Sequence, residues 1–279
     1  MELLFVSFQA PVFMGKGINY KLGWILNQLE NELDKKNFFE DVDLSFIVLP
    51  EYFLGRKPRT YEEIKSSQNY GRLKDWSKEH DNVVIVPGSA AIYKKDKILN
   101  QAPVVFEGKL LGLITKNHPF GREIEYGVLP SEEIFYTTIK KVRLGGVICA
   151  DLWYPNLFDR KKRPLDVILV PIQAVVPSRD LIDYGRFLWQ SLTVTRSKEQ
   201  VAVVVSADLA PTKLYSDTDW YTSGASYIID PTFRFTNQNE FHQGIKNCKK
   251  KSDFCYMKIS LEKIHEYKEY RRKMFYNYS

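Results

Sequence analysis

The sequence predicts an α/β protein, and three observations support this prediction. Short β-rich apolar runs recur along the whole chain, helical patterns lie between several of them, and no Pro-, Gly- or Ser-rich linker divides them. Apolar runs of about four to eight residues without alternation are typical of strands buried on both faces. Because strands alternate with helices, we expect helices that cover sheets within a single domain spanning residues 1–279.

The strands are predicted from eight apolar runs. In chain order they are Leu3–Phe8, Leu44–Leu49, Val83–Val86, Leu110–Thr115, Val142–Cys149, Val167–Val170, Val201–Val205 and Tyr227–Ile229. Around Gly108 the pattern indicates a hairpin, because two apolar stretches flank a short polar turn.

Three helices are predicted from spacings of three and four residues between apolar positions. They cover Gly17–Lys35, Gly185–Gln200 and Lys258–Lys273, and the last is highly charged. Asp183 is placed as the N-cap of the second helix. The apolar side of that helix is predicted to consist of Phe187, Leu188, Leu192 and Thr195.

The composition excludes several classes of protein. Hydrophobic residues make up 44% and charged residues 27%, which argues against disorder and against collagen. The net charge of +6 is small and spread along the chain, so no nucleic-acid partner is predicted. Lys249–Lys251 is the one short basic run, and we interpret it as a solvated loop.

The cellular compartment and the state of the cysteines are predicted from features that the sequence lacks. No apolar run approaches the roughly 18 residues of a membrane span, and Met1–Phe13 is interpreted as a first strand rather than a signal peptide. Cys149, Cys248 and Cys255 show no CxxC spacing, so neither a disulfide framework nor a zinc module is expected. We therefore predict a cytoplasmic protein without membrane partners.

Three of the predicted strands end in a chemically reactive residue. Glu51 follows the second strand, Lys116 follows the fourth, and Cys149 ends the fifth. Taken singly, each has an ordinary explanation: a loop acid, a strand-end lysine and a small buried hydrophobe. An acid, an ammonium and a thiol at three strand ends are unusual in combination, and α/β proteins place ligands at such ends.

These three segments resemble the motifs of the nitrilase superfamily, the carbon–nitrogen hydrolases. The matching residues are Pro50-Glu51, Lys116-Asn117-His118 and the stretch Gly146–Pro155 around Cys149. The resemblance extends to Gln9, to a later helix with Trp189, Arg196 and Glu199, and to Gly224–Pro231. The chain departs from the usual motifs at Asn156, Gln190 and Ala207-Asp208.

The resemblance implies a fold, an assembly and a mechanism. The fold is a four-layer α-β-β-α sandwich of the nitrilase type, and protomers pair through helices into a homodimer or larger homo-oligomer. Cys149 is the nucleophile and Glu51 the general base, while Lys116 stabilises the oxyanion together with the backbone N–H of Ala150. No metal or cofactor takes part.

The resemblance also implies a second glutamate between the lysine and the cysteine. Glu123 is the best match, and Glu125 is the alternative. His118 and Asp151 are expected to be structural, as is an Arg196–Glu199 ion pair. Aromatic and polar residues beside the three positions are candidates for substrate binding, although core packing explains them as well. They are Tyr52, Phe120, Trp153 and Gln173.

We therefore expect a hydrolase that cleaves an amide or carbamoyl C–N bond of a small molecule through a thioester. Two alternatives remain at this stage. One is a true nitrilase, and the other is a catalytically silent relative that serves as a scaffold or binding protein.

Overall fold

The computed structural model describes residues 1–158, 164–214, 218–233, 243–248 and 253–276. The first seven strands are β1 Glu2–Gln9, β2 Leu44–Val48, β3 Gly55–Thr60, β4 Val83–Val86, β5 Ala90–Lys94, β6 Lys97–Phe106 and β7 Lys109–Thr115. The other strands are β8 Phe135–Ile139, β9 Val142–Gly146, β10 Val167–Pro171, β11 Val175–Val176, β12 Val203–Ala207, β13 Tyr221–Thr222, β14 Tyr227–Ile229, β15 Ile245–Asn247 and β16 Asp253–Ser260.

These strands form two large mixed sheets and a short ribbon. The first sheet has the order β16-β1-β2-β4-β6-β5-β3, with β7 paired to β6, and the second has the order β15-β14-β12-β10-β9-β8. Strands β1, β2 and β4 run parallel, as do β9, β10 and β12. Strands β11 and β13 pair separately.

The helices are α1 Ile18–Gln28, α2 Tyr61–Lys65, α3 Gln68–Glu79, α4 Arg122–Glu125, α5 Ile182–Gln200 and α6 Leu261–Tyr276. Helices α1 and α3 cover the outer face of the first sheet, and α5 covers that of the second. Local sequence fixes some of their starts. Thr60 and Glu63 form a reciprocal capping box at α2, and the Ser67 hydroxyl accepts the Tyr70 N–H at α3.

The four layers result from the two-residue period of the strands. In β1, Leu3 and Phe5 belong to the core between the sheets, whereas Leu4 and Val6 belong to the core beneath α1 and α3. Trp189 of α5 packs against the core on the side of the second sheet. The architecture is therefore the predicted α-β-β-α sandwich.

All eight predicted strands and the hairpin at Gly108 are confirmed, with shifts of a few residues at their ends. The helix predicted over Gly17–Lys35 is α-helical to Gln28 and continues as one π-helical and one 3₁₀ segment to Lys36. Several strands were not predicted, among them β3, β8 and β16. Because β3 and β8 lie at sheet edges, their sequences lack long apolar runs.

Two helix predictions were wrong in detail. Asp183 lies within the first turn of α5, and Leu181 occupies the N-cap. The buried side of α5 contains Trp189, Thr193 and Arg196, while Phe187 is 68% exposed. Arg196 is buried because its guanidinium donates to the carbonyls of Leu152 and Trp153, which an apolar pattern does not reveal.

The C-terminal region also differs from the prediction. Lys258 belongs to β16, and the helix begins at Leu261. Cys248 and Cys255 are both free thiols. The Cys248 thiol also lies 3.4 Å from the carbonyl of Ser7, which is the cross-strand partner of Cys255. Lys249–Lys251 lies outside the described residues.

Within the described ranges, no helix has the length and apolar character that crossing a bilayer requires.

One glycine controls the turn that carries Glu51. Gly88 adopts φ +92°, and a Cβ atom there would lie 2.5 Å from the Pro50 carbonyl and 2.7 Å from Phe53 Cβ. We expect Gly88→Ala to lower the free energy of unfolding by about 3 kcal/mol, measured by urea denaturation.

Gly71→Ala is the matched control, because a Cβ atom at this α3 position meets nothing within 4 Å. It should raise the free energy of unfolding by about 0.5–1 kcal/mol. Equal urea concentrations at the midpoint of unfolding for the two variants would contradict the steric role of Gly88.

Candidate active site

The predicted reactive residues meet where strands of both sheets end. Glu51 follows β2, Lys116 follows β7, and Cys149 lies three residues beyond β9. The Glu51 N–H donates to the carbonyl of Ile172, just after β10, at 3.1 Å. This bond joins the end of one sheet to the end of the other at the site.

Lys116 lies between two carboxylates. Its Nζ atom donates to Glu51 Oε1 at 2.7 Å and to Glu123 Oε2 at 2.5 Å. All three side chains are buried, with exposed fractions of 2%, 3% and 9%. Glu123 rather than Glu125 therefore contacts the lysine, and Glu125 is exposed.

Asn100 of β6 connects the two carboxylates, and sequence reasoning did not identify it. Its Nδ2 donates to Glu51 Oε1 at 2.8 Å and to Glu123 Oε1 at 2.9 Å, and its carbonyl accepts the Lys116 N–H at 2.9 Å. The signal was available: Asn100 and Gln101 are a polar pair within a strand that is otherwise apolar from Ile98 to Phe106.

Glu123 receives more donors than Glu51 does. The Tyr52 hydroxyl donates to Glu123 Oε1 at 2.6 Å, and the Phe120 N–H donates to Oε2 at 2.9 Å. The hydrogen bonds that Glu51 accepts from Lys116 and Asn100 both use Oε1.

Cys149 stands at a strained turn that Asp151 stabilises. The Cys149 backbone has φ +48°, which costs a non-glycine residue about 1–3 kcal/mol. The Asp151 carboxylate accepts the N–H groups of Ile148, Asn117 and His118 at 2.8–3.2 Å. Asp151 thus ties the cysteine turn to the segment that follows Lys116.

His118 is part of the same support. Its Nδ1 lies 3.0 Å from Asp151 Oδ1, and its ring stacks on Tyr154 with centroids 3.6 Å apart. These contacts agree with the structural roles expected for His118 and Asp151. Arg196 pairs with Glu199, as expected.

Burial and neighbouring charges move the pKa values of the two glutamates in opposite directions. Burial raises the pKa of Glu51, and the charge of Glu123 adds to this, while Lys116 opposes it. Burial also acts on Glu123, but Lys116 and the hydrogen bonds from Tyr52 and Phe120 outweigh it, so its pKa is lowered. Of the two carboxylates, Glu51 is therefore the one that binds a proton more readily.

Burial and the same charges also shift the pKa values of Lys116 and of the Cys149 thiol. Burial would lower the pKa of Lys116, but Glu51 and the other acidic groups outweigh it, so the pKa is raised and Lys116 stays protonated. Burial raises the pKa of the Cys149 thiol well above its ordinary value, and Glu51 raises it further, whereas Lys116 lowers it. The resting cysteine is thus a thiol, and its Sγ lies 3.9 Å from the carbonyl oxygen of Gln173.

A cavity of about 290 Å³ opens onto these groups. Its lining residues are Glu51, Tyr52, Arg56, Lys116, Phe120, Gly121, Arg122, Glu123, Glu125, Cys149, Gln173, Val175, Leu214 and Trp220. The volume is at the lower end of ligand pockets, which usually enclose about 300–1,000 Å³.

The predicted binding residues divide into two groups. Tyr52, Phe120 and Gln173 line the cavity. Among the described lining residues, Trp153 and Ala150 are not found. Trp153 is 45% exposed, and its ring centroid lies 6.1 Å from that of Trp189. Ala150 is buried beside Cys149 and retains only its predicted backbone role.

A four-layer α/β sandwich with a cysteine beside a buried glutamate–lysine pair is the arrangement of the carbon–nitrogen hydrolases. The sequence matches the model of the carbon-nitrogen hydrolase family over residues 35–269, and the chain belongs to this family within the nitrilase superfamily.

Solved structures of the superfamily share the fold at low sequence identity. Nit3 of Saccharomyces cerevisiae, a member of branch 10 of the superfamily, superposes with a TM-score of 0.74 at 18% identity, covering 99% of this chain and 95% of Nit3. The carbon-nitrogen hydrolase of Helicobacter pylori G27 gives 0.74 at 16%, covering 99% and 98%. A variant of the amidase from Nesterenkonia sp. AN1 gives 0.66 at 12%, covering 100% and 97%.

A relative detected by sequence is much longer. The glutamine-dependent NAD(+) synthetase of Thermotoga maritima is 26% identical over 145 residues, which are 50% of this chain and 25% of that protein. The match therefore spans about a quarter of the relative.

The described residues contain no group of three or more His, Cys, Asp or Glu side chains arranged to hold a metal ion. The chemistry that this site can support is proton exchange at Glu51, nucleophilic attack by Cys149 and charge stabilisation by Lys116.

The Asn100 contacts generate a prediction about pH dependence. Asn100→Ala removes a donor that favours ionised Glu51, so the pKa of Glu51 should rise further. We expect the acidic limb of the rate of Cys149 alkylation by iodoacetamide to move up by about one pH unit.

Gln101→Ala is the control, because this neighbouring amide donates to Thr115 instead, at 2.9 Å. An acidic limb that does not differ between the Asn100 variant and the control would show that Asn100 does not tune Glu51.

Proposed function

We propose that this protein hydrolyses an amide or carbamoyl C–N bond of a small molecule through a thioester on Cys149. The observation that carries the proposal is that one cavity contains Cys149, a protonated Lys116 and a Glu51 whose pKa is raised, with Lys116 Nζ 2.7 Å from Glu51 Oε1.

In the proposed acylation half, Cys149 Sγ attacks the carbonyl carbon while Glu51 takes the thiol proton. Lys116 and the Ala150 N–H stabilise the oxyanion of the tetrahedral intermediate. Glu51 then gives its proton to the leaving nitrogen, the C–N bond breaks, and an acyl thioester and ammonia or an amine result.

In the proposed deacylation half, Glu51 takes a proton from water as the water attacks the thioester. The C–S bond breaks, the proton returns to the thiolate, and the acid product leaves. Glu123 holds Lys116 in place throughout. The mechanism uses no metal or cofactor.

Two relatives support an amide over a nitrile. The structure of the Nesterenkonia amidase variant carries an acetamide moiety added covalently at its active-site cysteine. The Thermotoga synthetase is named as dependent on glutamine, which carries a side-chain amide. A true nitrilase and a silent scaffold remain the alternatives.

We also propose that the chain is one domain that assembles through helices as a homodimer or larger homo-oligomer. The exposure of two large side chains on α5, Tyr184 at 60% and Phe187 at 68%, supports this assembly.

The deciding experiment is ammonia release from a panel of amides, carbamoyl compounds and nitriles, with Cys149→Ala as the blank. Release from amides or carbamoyl compounds supports the proposal, and release from nitriles alone favours the nitrilase. A silent scaffold releases nothing, and iodoacetamide labels its Cys149 no faster than Cys255.

Replacing the nucleophile is the first test of mechanism. A hydroxyl is much harder to deprotonate than a thiol, so Cys149→Ser should retain less than about 3% of kcat while keeping the far-UV circular dichroism spectrum. Cys255→Ser is the control and should behave as the wild type. Substantial turnover by the Cys149 variant would overturn the assignment.

The charge of Lys116 is the second test. Lys116→Gln keeps a donor but loses the charge, so kcat should fall by about 100-fold or more with a smaller change in KM. Lys116→Arg keeps the charge in a larger planar group and should also lower kcat sharply.

Lys116→Ala should slow Cys149 labelling across the pH range, because Lys116 lowers the pKa of the thiol. If the labelling curve overlays that of the wild type and kcat survives the substitutions, Lys116 has only a structural role.

A further inference from the structure

Asp208 is a buried carboxylate that the proposed mechanism does not use. It directly follows β12, and its exposed fraction is 0%. Its Oδ1 atom accepts the N–H groups of Ala174 at 3.2 Å and of Leu209 at 2.8 Å, and its Oδ2 atom accepts the N–H of Ala225 at 2.7 Å. Because a buried charge is costly unless it is hydrogen-bonded, these donors make the ionised side chain tolerable at this position.

One of these donors belongs to the peptide group that lies beside Cys149. The Ala174 N–H and the Gln173 carbonyl are the two ends of a single peptide group. Asp208 binds the N–H end, and the carbonyl oxygen at the other end lies 3.9 Å from Cys149 Sγ. A trans peptide group is planar, with its N–H and C=O pointing in opposite directions, so fixing one end fixes the other. Asp208 therefore determines how the Gln173 carbonyl faces the sulfur.

The same carboxylate joins three segments at one end of the second sheet. Ala174 follows β10, Leu209 follows β12, and Ala225 precedes β14. The Ala174 carbonyl in turn accepts the Ser223 N–H at 2.9 Å, so neighbouring segments hold both the N–H and the carbonyl of this residue. The backbone beside the cysteine is therefore fixed by bonds to neighbouring segments, and the Asp208 carboxylate lies at their centre.

Asp208 changes its charge near neutral pH. Burial raises the pKa of its carboxyl group to about 7, although the backbone hydrogen bonds oppose this. When the group is protonated, one oxygen becomes a donor and the bonds from the N–H groups weaken. Tyr227 faces it from β14, and Cys149 lies across the Gln173–Ala174 peptide. Burial, with a contribution from the Asp208 charge, raises the pKa of Tyr227 to about 12, so Tyr227 stays neutral in this range.

We propose that Asp208 is a positioning residue that acts through the Gln173–Ala174 peptide to hold the Gln173 backbone beside Cys149 Sγ. This inference rests on the proposed function in taking Cys149 as the nucleophile. Burial raises the pKa of the Cys149 thiol, and the Gln173 backbone is one of the groups that oppose this. Without the bond to Asp208, the sulfur would therefore be less well placed and also harder to deprotonate.

The test replaces Asp208 with its uncharged isostere. Asp208→Asn keeps the shape and one acceptor oxygen, but it loses the charge and turns an amide N–H toward backbone donors. We expect alkylation of Cys149 by iodoacetamide at about pH 8.5 to slow by about 10-fold. For the best substrate of the amide and carbamoyl panel, kcat should fall by a similar factor with a smaller change in KM. Loss of a negative charge alone would lower the pKa of the thiol and speed alkylation, so faster alkylation would refute the proposal.

The pH dependence distinguishes this role from a general loosening of the fold. Below about pH 7 the wild-type carboxyl group is itself protonated, so the wild type should resemble the Asp208→Asn protein. The ratio of the variant rate to the wild-type rate should therefore rise from about 0.1 at about pH 8.5 to about one half at about pH 6, where about nine-tenths of Asp208 is protonated. Protonation of Glu51 affects both proteins and cancels from the ratio. A ratio that stays constant over this range is incompatible with the proposal.

Asp166→Asn is the matched control. Asp166 is equally buried and directly precedes β10, whereas Ala174 follows the other end of this strand. Asp166 accepts hydrogen bonds from Arg143 and Lys268, so loss of its charge should lower the free energy of unfolding. The rate of Cys149 alkylation should change by less than about twofold, because distant sites act independently. Equal slowing by the two substitutions would show a general loosening and would contradict a specific role of Asp208.

A measurement on the wild type decides the case if Asp208→Asn does not fold. Labelling with ¹⁵N-alanine makes the Ala174 and Ala225 N–H groups visible by NMR spectroscopy. Both resonances should move with a midpoint near pH 7, and the rate of Cys149 alkylation should show an inflection at the same pH. An Ala174 resonance that does not titrate, or an alkylation rate without this inflection, would overturn the proposal.

Alkylation separates this inference from the proposed function because it needs no turnover. If compounds of the panel are hydrolysed but Asp208→Asn changes neither kcat nor alkylation, the role of Asp208 alone fails. If no amide or carbamoyl compound is hydrolysed but the alkylation results hold, the proposed function fails and the positioning of Cys149 by Asp208 stands.

Discussion

The buried ammonium of Lys116 between two buried carboxylates is the interaction on which the site depends. Removing three charges from water is costly, and it is tolerated only when each charge is paired and hydrogen-bonded. The chain meets this demand with donors from distant segments: the Asn100 amide, the Tyr52 hydroxyl and the Phe120 N–H. Because these donors come from separate loops and strands, the charge cluster also fixes how the strand ends lie relative to one another.

Backbone strain accompanies this arrangement on both sides of the cavity. Cys149 has φ +48° and Tyr52 has φ +54°. Each lies in the turn that follows a buried strand, Cys149 after β9 and Tyr52 after β2. Both conformations are stabilised by hydrogen bonds from elsewhere: Asp151 supports the cysteine turn, and the Ser89 hydroxyl accepts the Tyr52 N–H at 2.8 Å. The strain is therefore offset by neighbouring elements, and it points a thiol and a phenol into one cavity instead of into the core.

The sequence reveals the parts of this structure that depend on local pattern. Buried strands are continuous apolar runs, so their ends, and with them Glu51, Lys116 and Cys149, could be located from the sequence. The contacts that give other residues their roles could not be located in this way. Asn100 is visible only as half of a polar pair inside an apolar strand, and Glu123 and Glu125 lie on opposite sides of a four-residue helix, of which one side meets Lys116. Arg196 is buried because two carbonyls accept its hydrogen bonds. The contact between the rings of Trp153 and Trp189, which are distant in sequence, is another that no local pattern reveals.

The balance of charge explains why the resting cysteine is a thiol. Ionised Glu51 and Glu123 with protonated Lys116 already give the buried cluster one net negative charge, and a thiolate would add a second in the same low-dielectric space. Both Glu51 and Cys149 accordingly have raised pKa values. Deprotonation of the thiol is favourable only when the negative charge passes to a substrate oxygen beside Lys116. In the proposed reaction, therefore, proton transfer to Glu51 accompanies attack on the carbonyl instead of preceding it.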